Sequence, residues 1–259
     1  MNRLIKLNNL NINMDKPVQL YDSPGHKIYW VGSVEETIFR CNTYLLLDGK
    51  QNYLIDPGGV VTHFSQVMER VKAISEPSDI THIIVHHQDP DLCASIPLWL
   101  KFNKDIVIMT DPRTRVLLPH YGIVDGKYFN VDDKKAVALP SGGELKFIRS
   151  PFMHSPGAFV TYDSVSRFLF SSDICAALDD NRKLVADDIN SQLGLMNAFL
   201  EDYIACNKAI RGFLKNIKGI EIVAILPQHG SIIKKEFVKP MLDYLKDFKC
   251  GLDILYPDL

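Results

Sequence analysis

The chain has 259 residues, of which 46% are hydrophobic and 23% are charged, and its formal net charge is −2. These values are ordinary for a folded protein with a sizeable core, and the near-neutral charge provides no basic surface for nucleic acid or for an anionic membrane. No apolar run reaches the ~20 residues of a transmembrane helix, and the N-terminus lacks the apolar core of a signal peptide.

The first 75 residues predict strands followed by one helix. Three short apolar segments are separated by turn residues at 48–50 and 57–59, which predicts strands. These segments are HKIYWVG, TYLLLD and NYLIDPG. Residues 62–74 then carry apolar side chains at helical spacing, and we expect Thr62 to cap that helix.

Strands and helices alternate between residues 81 and 122. The predicted strands are THIIVHH and DIVIMTD, and the predicted helices are LCASIPLWLKF and PRTRVLLPHYG. Proline in the first turn of the second helix fits a helix start.

The second half of the chain returns to strands before it closes with helices. Residues 127–173 predict several strands, ending in a hairpin around Asp163-Ser164, and residues 188–218 predict a helix with a break near 208–212. A last buried strand, IEIVAILPQHG, precedes a helix that Pro240 is expected to kink. Without repeats or linkers, we predict a single domain over residues 1–259, of α/β (layered α+β) class, with two sheets enclosed by helices.

The cysteines indicate the redox environment. They are an odd number, widely spaced and without a CxxC pair: Cys41, Cys93, Cys175, Cys206 and Cys250. This usage is typical of a reducing cytosol and argues against a disulfide framework or a thiolate zinc site. We therefore predict a cytoplasmic protein.

Histidines and aspartates collect just beyond the C-terminal ends of four apolar runs. Six such residues are His87, Asp89, Asp91, His154, Asp173 and His229. In layered α/β folds, loops at these ends carry polar groups on a rigid support. Three imidazoles and three carboxylates form a mixed nitrogen and oxygen set that suits one or two divalent transition ions, whereas the acids alone would repel one another.

Each of these residues also has an ordinary interpretation. A histidine that ends a strand is more often a satisfied polar residue than a ligand, and Asp89-Pro90-Asp91 fits a turn and helix cap. Asp173 fits a solvent-facing acid, and His229-Gly230 fits a plain turn. The recurrence at four strand ends favours a metal site.

Four segments resemble those of the metallo-β-lactamase superfamily and, within it, the diiron domain of flavodiiron proteins. HQDPDL (87–92) is similar to the flavodiiron HxExDH, and HSPGAFVTY (154–162) is similar to HWPDSMxTY. LFSSD, ending at Asp173, resembles LFSxD, and LPQHG, containing His229, resembles PSHG. The opening hairpin CNTYLLLDGKQNYLIDPG also resembles that of the family. The resemblance covers roughly residues 28–250 and implies a metallo-β-lactamase-like αββα sandwich with a site at its edge.

The resemblance implies a site for two iron ions, with zinc or manganese as alternatives. The ligands carried over are His87, Asp89 and His154 for iron 1, Asp91 and His229 for iron 2, and Asp173 as the bridge. A carboxylate in place of the second histidine of HxHxDH distinguishes the set from that of zinc hydrolases, because oxygen is the harder donor and helps to stabilise ferric iron.

Two positions depart from the flavodiiron pattern. Asp89 is one methylene shorter than the family's glutamate, and Leu92 stands where the family has histidine. Leucine cannot ligate, so iron 2 either keeps an open or water-filled position or recruits another residue. His86 is the nearest candidate in the sequence, but neighbouring residues of a strand face opposite sides. We therefore favour an open position, with Leu92 as the apolar wall of an O₂ pocket.

The resemblance also suggests a function. Flavodiiron proteins carry an electron-supplying FMN domain, which is not expected in this chain. A diiron centre alone gives two of the four electrons that reduce O₂ to water, so we predict a protein that binds and senses O₂ through a diiron–peroxo species. The alternative is an O₂ or NO reductase fed by a separate electron-transfer protein. A signalling protein or electron donor is the expected partner, and the resemblance implies a head-to-tail homodimer.

Two further classes stay open. Many proteins of this superfamily are zinc-dependent hydrolases in which a metal-bound hydroxide attacks an ester, amide or phosphodiester. Asp89 and Leu92 both argue against a complete dinuclear zinc site. A scaffold with a vestigial site is the last alternative, and six ligand-type residues at six matching positions argue against it.

Overall fold

A computed structural model describes residues 12–33, 39–178 and 183–258, together with the backbone of residues 3–4. The first sheet has eight strands in chain order: β1 (Arg3–Leu4), β2 (Val18–Ser23), β3 (His26–Trp30), β4 (Tyr44–Asp48), β5 (Gln51–Ile55), β6 (His82–Ile84), β7 (Val107–Thr110) and β8 (Lys127–Asn130). Pairing is antiparallel from β1 to β5 and parallel from β5 to β8. The parallel strands all end at the same edge of the sheet.

The second sheet has six strands: β9 (Ala136–Ala138), β10 (Glu144–Arg149), β11 (Phe159–Asp163), β12 (Phe168–Ser172), β13 (Ala224–Pro227) and β14 (Ile233–Lys234). Its order in space is β14-β13-β12-β11-β10-β9. Among the described strands of this sheet, β12 and β13 are the one parallel pair, so both end at the same edge of the sheet.

Helices cover the outer faces of both sheets. They are α1 (His63–Lys72), α2 (Pro90–Cys93), α3 (Ile96–Trp99), α4 (Pro112–Arg115), α5 (Ile189–Tyr203), α6 (Asn207–Asn216), α7 (Lys235–Leu245) and α8 (Leu252–Leu255), with 3₁₀ turns at Pro77–Asp79 and Leu118–Tyr121. Among the described residues, no helix combines the length and apolar character needed to cross a membrane.

The described residues form three apolar clusters because side chains alternate between the two faces of each strand. Leu46 and Phe170 face between the sheets, together with Trp30 and Tyr44. Leu45, which precedes Leu46 in β4, points outward into the cluster that contains residues of α3. Leu169, which precedes Phe170 in β12, points outward into the cluster that contains residues of α5 to α7. The layer order is therefore helix, sheet, sheet, helix, which confirms the predicted αββα sandwich.

Several predicted element boundaries differ from the structure. The helix predicted over 92–102 is split into α2 and α3, and the break in 188–218 falls at residues 204–206 rather than 208–212. Thr62 precedes α1, but its side chain makes no capping hydrogen bond because its backbone is already helical. α7 continues through Pro240, and the predicted kink stays untested.

Candidate metal centre

The two sheets bring all six predicted ligands to one edge of the sandwich. His87, Asp89 and Asp91 follow β6, and Asp173 and His229 follow the parallel strands β12 and β13. His154 lies in the connection between β10 and β11. The six residues separate into two groups that share Asp173.

The first group contains His87, Asp89, His154 and Asp173. Asp173 Oδ2 lies 3.0 Å from His87 Nε2 and 2.8 Å from His154 Nε2. Asp89 Oδ2 lies 3.5 Å from His87 Nε2 and 3.3 Å from His154 Nε2. His87, His154 and Asp173 each offer a donor atom within 4.8 Å of the others, which fits one metal ion.

The second group contains Asp91, His229 and a residue that was not predicted, Cys41. His229 Nε2 lies 3.1 Å from Asp91 Oδ2 and 3.7 Å from Asp173 Oδ1. Donor atoms of Cys41, Asp91 and His229 all lie within 4.8 Å of one another. Asp173 thus directs one oxygen towards each group, as a bridging carboxylate does.

Asp173 has the electrostatics of a residue placed for a cation. It is 2% exposed, and its Oδ1 has no hydrogen-bond partner among the residues that the structure describes. Burial would raise the pKa of its carboxyl, but the charge of His87 and hydrogen bonds from His154 and His87 hold the pKa well below its usual range. Burial would lower the pKa of His87, but the charges of Asp173 and Asp89 and the hydrogen bonds to them raise that pKa well above its ordinary value. The carboxylates therefore demand positive charge, which metal ions would supply.

Three supporting contacts hold the ligands in orientation. His87 Nδ1 lies 3.0 Å from Ser172 Oγ, and His229 Nδ1 donates to the backbone oxygen of Arg40 at 3.2 Å. Both contacts leave Nε2 free to face the groups described above. Gln228 Nε2 donates to Asp91 Oδ2 at 2.9 Å. These partners are a serine hydroxyl, a backbone carbonyl and a glutamine amide, and they lie far from their ligands in the sequence. No sequence pattern therefore indicated them.

His86 takes no part in the centre. Its Nδ1 lies 2.6 Å from Asp56 Oδ2, and its Nε2 lies 2.9 Å from Thr161 Oγ1. Both ring nitrogens are occupied on the side away from His87, as alternation along an extended segment predicts. His86 thus ties β5 and β11 together across the two sheets.

Leu92 is fully buried in the apolar cluster that packs α1 to α3 against the first sheet. It does not line the cavity of about 380 Å³ beside the ligands, so the prediction that Leu92 forms the apolar wall of an O₂ pocket is wrong. The apolar surface of that cavity comes from Phe39, Phe199 and Tyr203. The rings of Phe39 and Phe199 lie 5.3 and 6.1 Å from that of His229. These aromatic residues were not predicted, because sequence spacing does not show that α5 crosses the site.

The sandwich and the paired ligand groups at its edge define a protein of the metallo-β-lactamase fold class. Residues 39–230 match the family described as "ODP family beta lactamase", and the chain belongs to that family.

Solved structures of related proteins share this architecture. The chain is similar to the "Apo state of chemotaxis sensor ODP from T. denticola", with 35% identity and a TM-score of 0.83 over 94% of this chain and 99% of that one. It is also similar to the "Peroxy diiron species of chemotaxis sensor ODP", with 34% identity and a TM-score of 0.80 over 94% of this chain and 100% of that one.

Curated relatives are longer. The chain is 24% identical to the flavo-diiron protein FprA2 of Clostridium acetobutylicum over 75% of this chain and 50% of that protein. It spans about half the length of the curated relatives that it matches first.

Proposed function

We propose that this protein is a non-haem diiron protein that binds O₂ and acts as an oxygen sensor. The observation that carries the proposal is the position of Asp173, with Oδ2 against two histidines of one group and Oδ1 towards His229 of the other. The similar chemotaxis sensor, described as the "Peroxy diiron species of chemotaxis sensor ODP", supports the same proposal.

The residues present fit two divalent ions. His87, Asp89 and His154 would hold iron 1, Asp91 and His229 would hold iron 2, and Asp173 would bridge them. Three carboxylates and three imidazoles suit iron or manganese better than a thiolate-rich set would. Bound iron would supply electrons and open coordination positions for O₂.

The protein's own residues fix the conditions around that chemistry. Ser172 and the Arg40 carbonyl orient the imidazoles of His87 and His229. Phe39, Phe199 and Tyr203 give the cavity an aromatic wall, which limits water beside the second group. Leu92 provides no donor atom where a histidine would, so the second ion has fewer protein ligands. The cavity therefore favours a small apolar ligand such as O₂ over bound water.

A second candidate function is reduction of O₂ or NO with electrons from a separate protein. The flavo-diiron relative favours it, as does the "Anaerobic nitric oxide reductase flavorubredoxin" of Aeromonas hydrophila, which is 22% identical over 79% of this chain. We place the protein in the cytoplasm because the structure leaves all five cysteines as free thiols. A signalling partner and a homodimer complete the proposal.

Oxygen consumption by the iron-loaded, fully reduced protein separates the two functions. A sensor takes up about one O₂ per pair of irons and then stops, even when a chemical reductant and a flavodoxin-type electron donor are supplied. Sustained consumption under those conditions would instead support the reductase. Failure to take up any O₂ would contradict the sensor and O₂ reduction, and would leave only the reduction of NO.

A further inference from the structure

Cys41 is the part of the second group that the proposed ligand set does not use. It lies just before β4, is 2% exposed, and belongs to none of the three apolar clusters that the described residues form. A buried cysteine usually behaves as a small apolar residue. Here the thiol donates to the Phe39 backbone oxygen at 3.5 Å, and its other polar neighbours are a carboxylate and an imidazole.

The backbone fixes the position of the sulfur. Cys41 forms an antiparallel bridge with His229, and the amide of the next residue, Asn42, donates to the Gln228 carbonyl at 2.6 Å. Cys41 and His229 are therefore held opposite each other by main-chain hydrogen bonds. The Sγ atom lies 3.9 Å from Asp91 Oδ2.

The distances within the group suit a shared metal ion. An ion with bonds of about 2.0–2.3 Å to nitrogen, oxygen and sulfur separates its tetrahedral ligands by roughly 3–4 Å. His229 Nε2 lies 3.1 Å from Asp91 Oδ2, and Cys41 Sγ lies 3.9 Å from the same oxygen. Independently, the buried Oδ1 of Asp173, which has no hydrogen-bond partner among the described residues, lies 3.7 Å from His229 Nε2 of this group.

We infer that Cys41 is a thiolate ligand of the second metal ion, an inference that rests on the proposed function. On binding, the S–H bond breaks, the proton leaves to solvent, and the sulfur electron pair forms the bond to the metal without any change of oxidation state. Cys41 then partly compensates for the donor that Leu92 does not provide. Together with Asp91, His229 and Asp173, Cys41 would give the second ion four protein ligands.

A thiolate makes the two halves of the centre chemically different. The first ion receives only nitrogen and oxygen donors, whereas the second receives a soft and strongly donating sulfur. A thiolate from Cys41 would lower the Lewis acidity of that ion and would favour its oxidised form.

Cobalt(II) tests the inference without iron or O₂. Metal-free, full-length protein is titrated anaerobically with Co²⁺ in the wild type, in Cys41→Ser and in the matched control Cys206→Ser, whose thiol lies outside the centre. We expect two ions to bind to the wild type and the control with a near-ultraviolet sulfur-to-cobalt charge-transfer band. Cys41→Ser should lose the band and bind its second ion roughly 10–100-fold more weakly, a loss comparable to that from removing a partner of a ligand.

X-ray absorption at the cobalt edge is measured on the wild-type protein, so this test does not depend on whether the Cys41→Ser variant folds. The wild type should show one sulfur at about 2.3 Å for every two cobalt ions. Binding of two Co²⁺ ions without sulfur in this spectrum, or a charge-transfer band that persists in Cys41→Ser, would overturn the role of Cys41 and leave the two-metal centre standing. Failure of the wild type to bind two ions would overturn the proposed function as well.

Discussion

His87 Nε2 and Asp173 Oδ2 lie 3.0 Å apart although the first residue follows a strand of one sheet and the second follows a strand of the other. Neither sheet alone can form the centre, because each contributes only part of the donor set. Packing of the sandwich therefore creates the site, and metal binding should in turn stabilise the packed state.

The bridging role of Asp173 can be separated from the terminal role of His229. Asp173→Asn should weaken binding of both ions, because an amide NH₂ group replaces one carboxylate oxygen and the negative charge that offsets the repulsion between the two cations is lost. His229→Ala should mainly remove the second ion, which leaves about one iron per chain. Metal analysis after anaerobic loading and desalting measures both. Unchanged iron content in Asp173→Asn would refute the bridging assignment.

Leu92→His tests whether an absent ligand leaves room for O₂. Leu92 packs outside the cavity, so a histidine reaches the second ion only by displacing part of that packing; where it does, we expect slower O₂ binding and a shorter lifetime of the coloured O₂ adduct. Leu92→Met is the matched control, because it keeps the buried volume and the apolar character of this fully buried position. Stopped-flow absorption after mixing the reduced proteins with O₂ gives both rates. Equal rates in Leu92→His and Leu92→Met would show that Leu92 serves only in packing.

Ser172→Ala should weaken the first ion without removing a ligand. The Ser172 hydroxyl lies 3.0 Å from His87 Nδ1 and orients the ring. Loss of such a partner typically costs roughly 10–100-fold in metal affinity. Ser171→Ala is the control, because its hydroxyl donates to the Ile174 carbonyl and contacts no histidine in the structure. Competition with a chelator measures the affinities, and similar losses in the two variants would argue against the orienting role.

A buried histidine far from the metal centre predicts how stability depends on pH. His26 lies between Asp48 Oδ2 at 2.6 Å and Asp163 Oδ2 at 2.9 Å, and all three side chains are fully buried. Burial lowers the pKa of His26, but the hydrogen bonds and charges of Asp163 and Asp48 raise it above 6.5 overall. Because the pKa of His26 is higher in the folded state than in the unfolded state, protonation of His26 stabilises the folded protein, and this contribution is complete below pH 6.5. It is lost as the pH rises through the folded-state pKa.

His26→Gln should therefore cost most at low pH, about 3 kcal/mol at pH 6, because it leaves two buried carboxylates without their cation. The difference from wild type should shrink as the pH rises above the raised pKa. Urea unfolding of both proteins across this range measures it. His120→Gln, at an exposed position, should show no such trend. A constant difference for His26→Gln would mean that the imidazole between the aspartates is neutral.

The sequence predicted the layered fold because strand and helix periods are local properties. Alternation placed His86 and His87 on opposite sides, and the structure directs His86 to Asp56 and Thr161. The exact ends of elements depend on tertiary packing, so the break after α5 fell several residues away from the predicted position. The short strands β1 and β14 were missed because two paired residues leave no periodic pattern.

The ligand types were predictable, but their partners were not. Histidine and aspartate at four strand ends indicated a metal site, whereas the spacing of the five cysteines did not indicate a ligand role for Cys41. Its role depends on the main-chain bridge with His229, which joins segments nearly two hundred residues apart. The aromatic wall of Phe199 and Tyr203 depends equally on how α5 packs across the edge of the sandwich.

The most direct test of the central claim is the metal content of the protein after anaerobic loading with equal amounts of iron(II) and zinc(II), followed by an absorption spectrum before and after a single addition of O₂. The diiron account predicts about two iron ions per chain and a new visible band that appears only after O₂ is added. Two zinc ions per chain, no spectral response to O₂ and hydrolysis of ester or phosphodiester substrates would contradict it and identify a hydrolase instead.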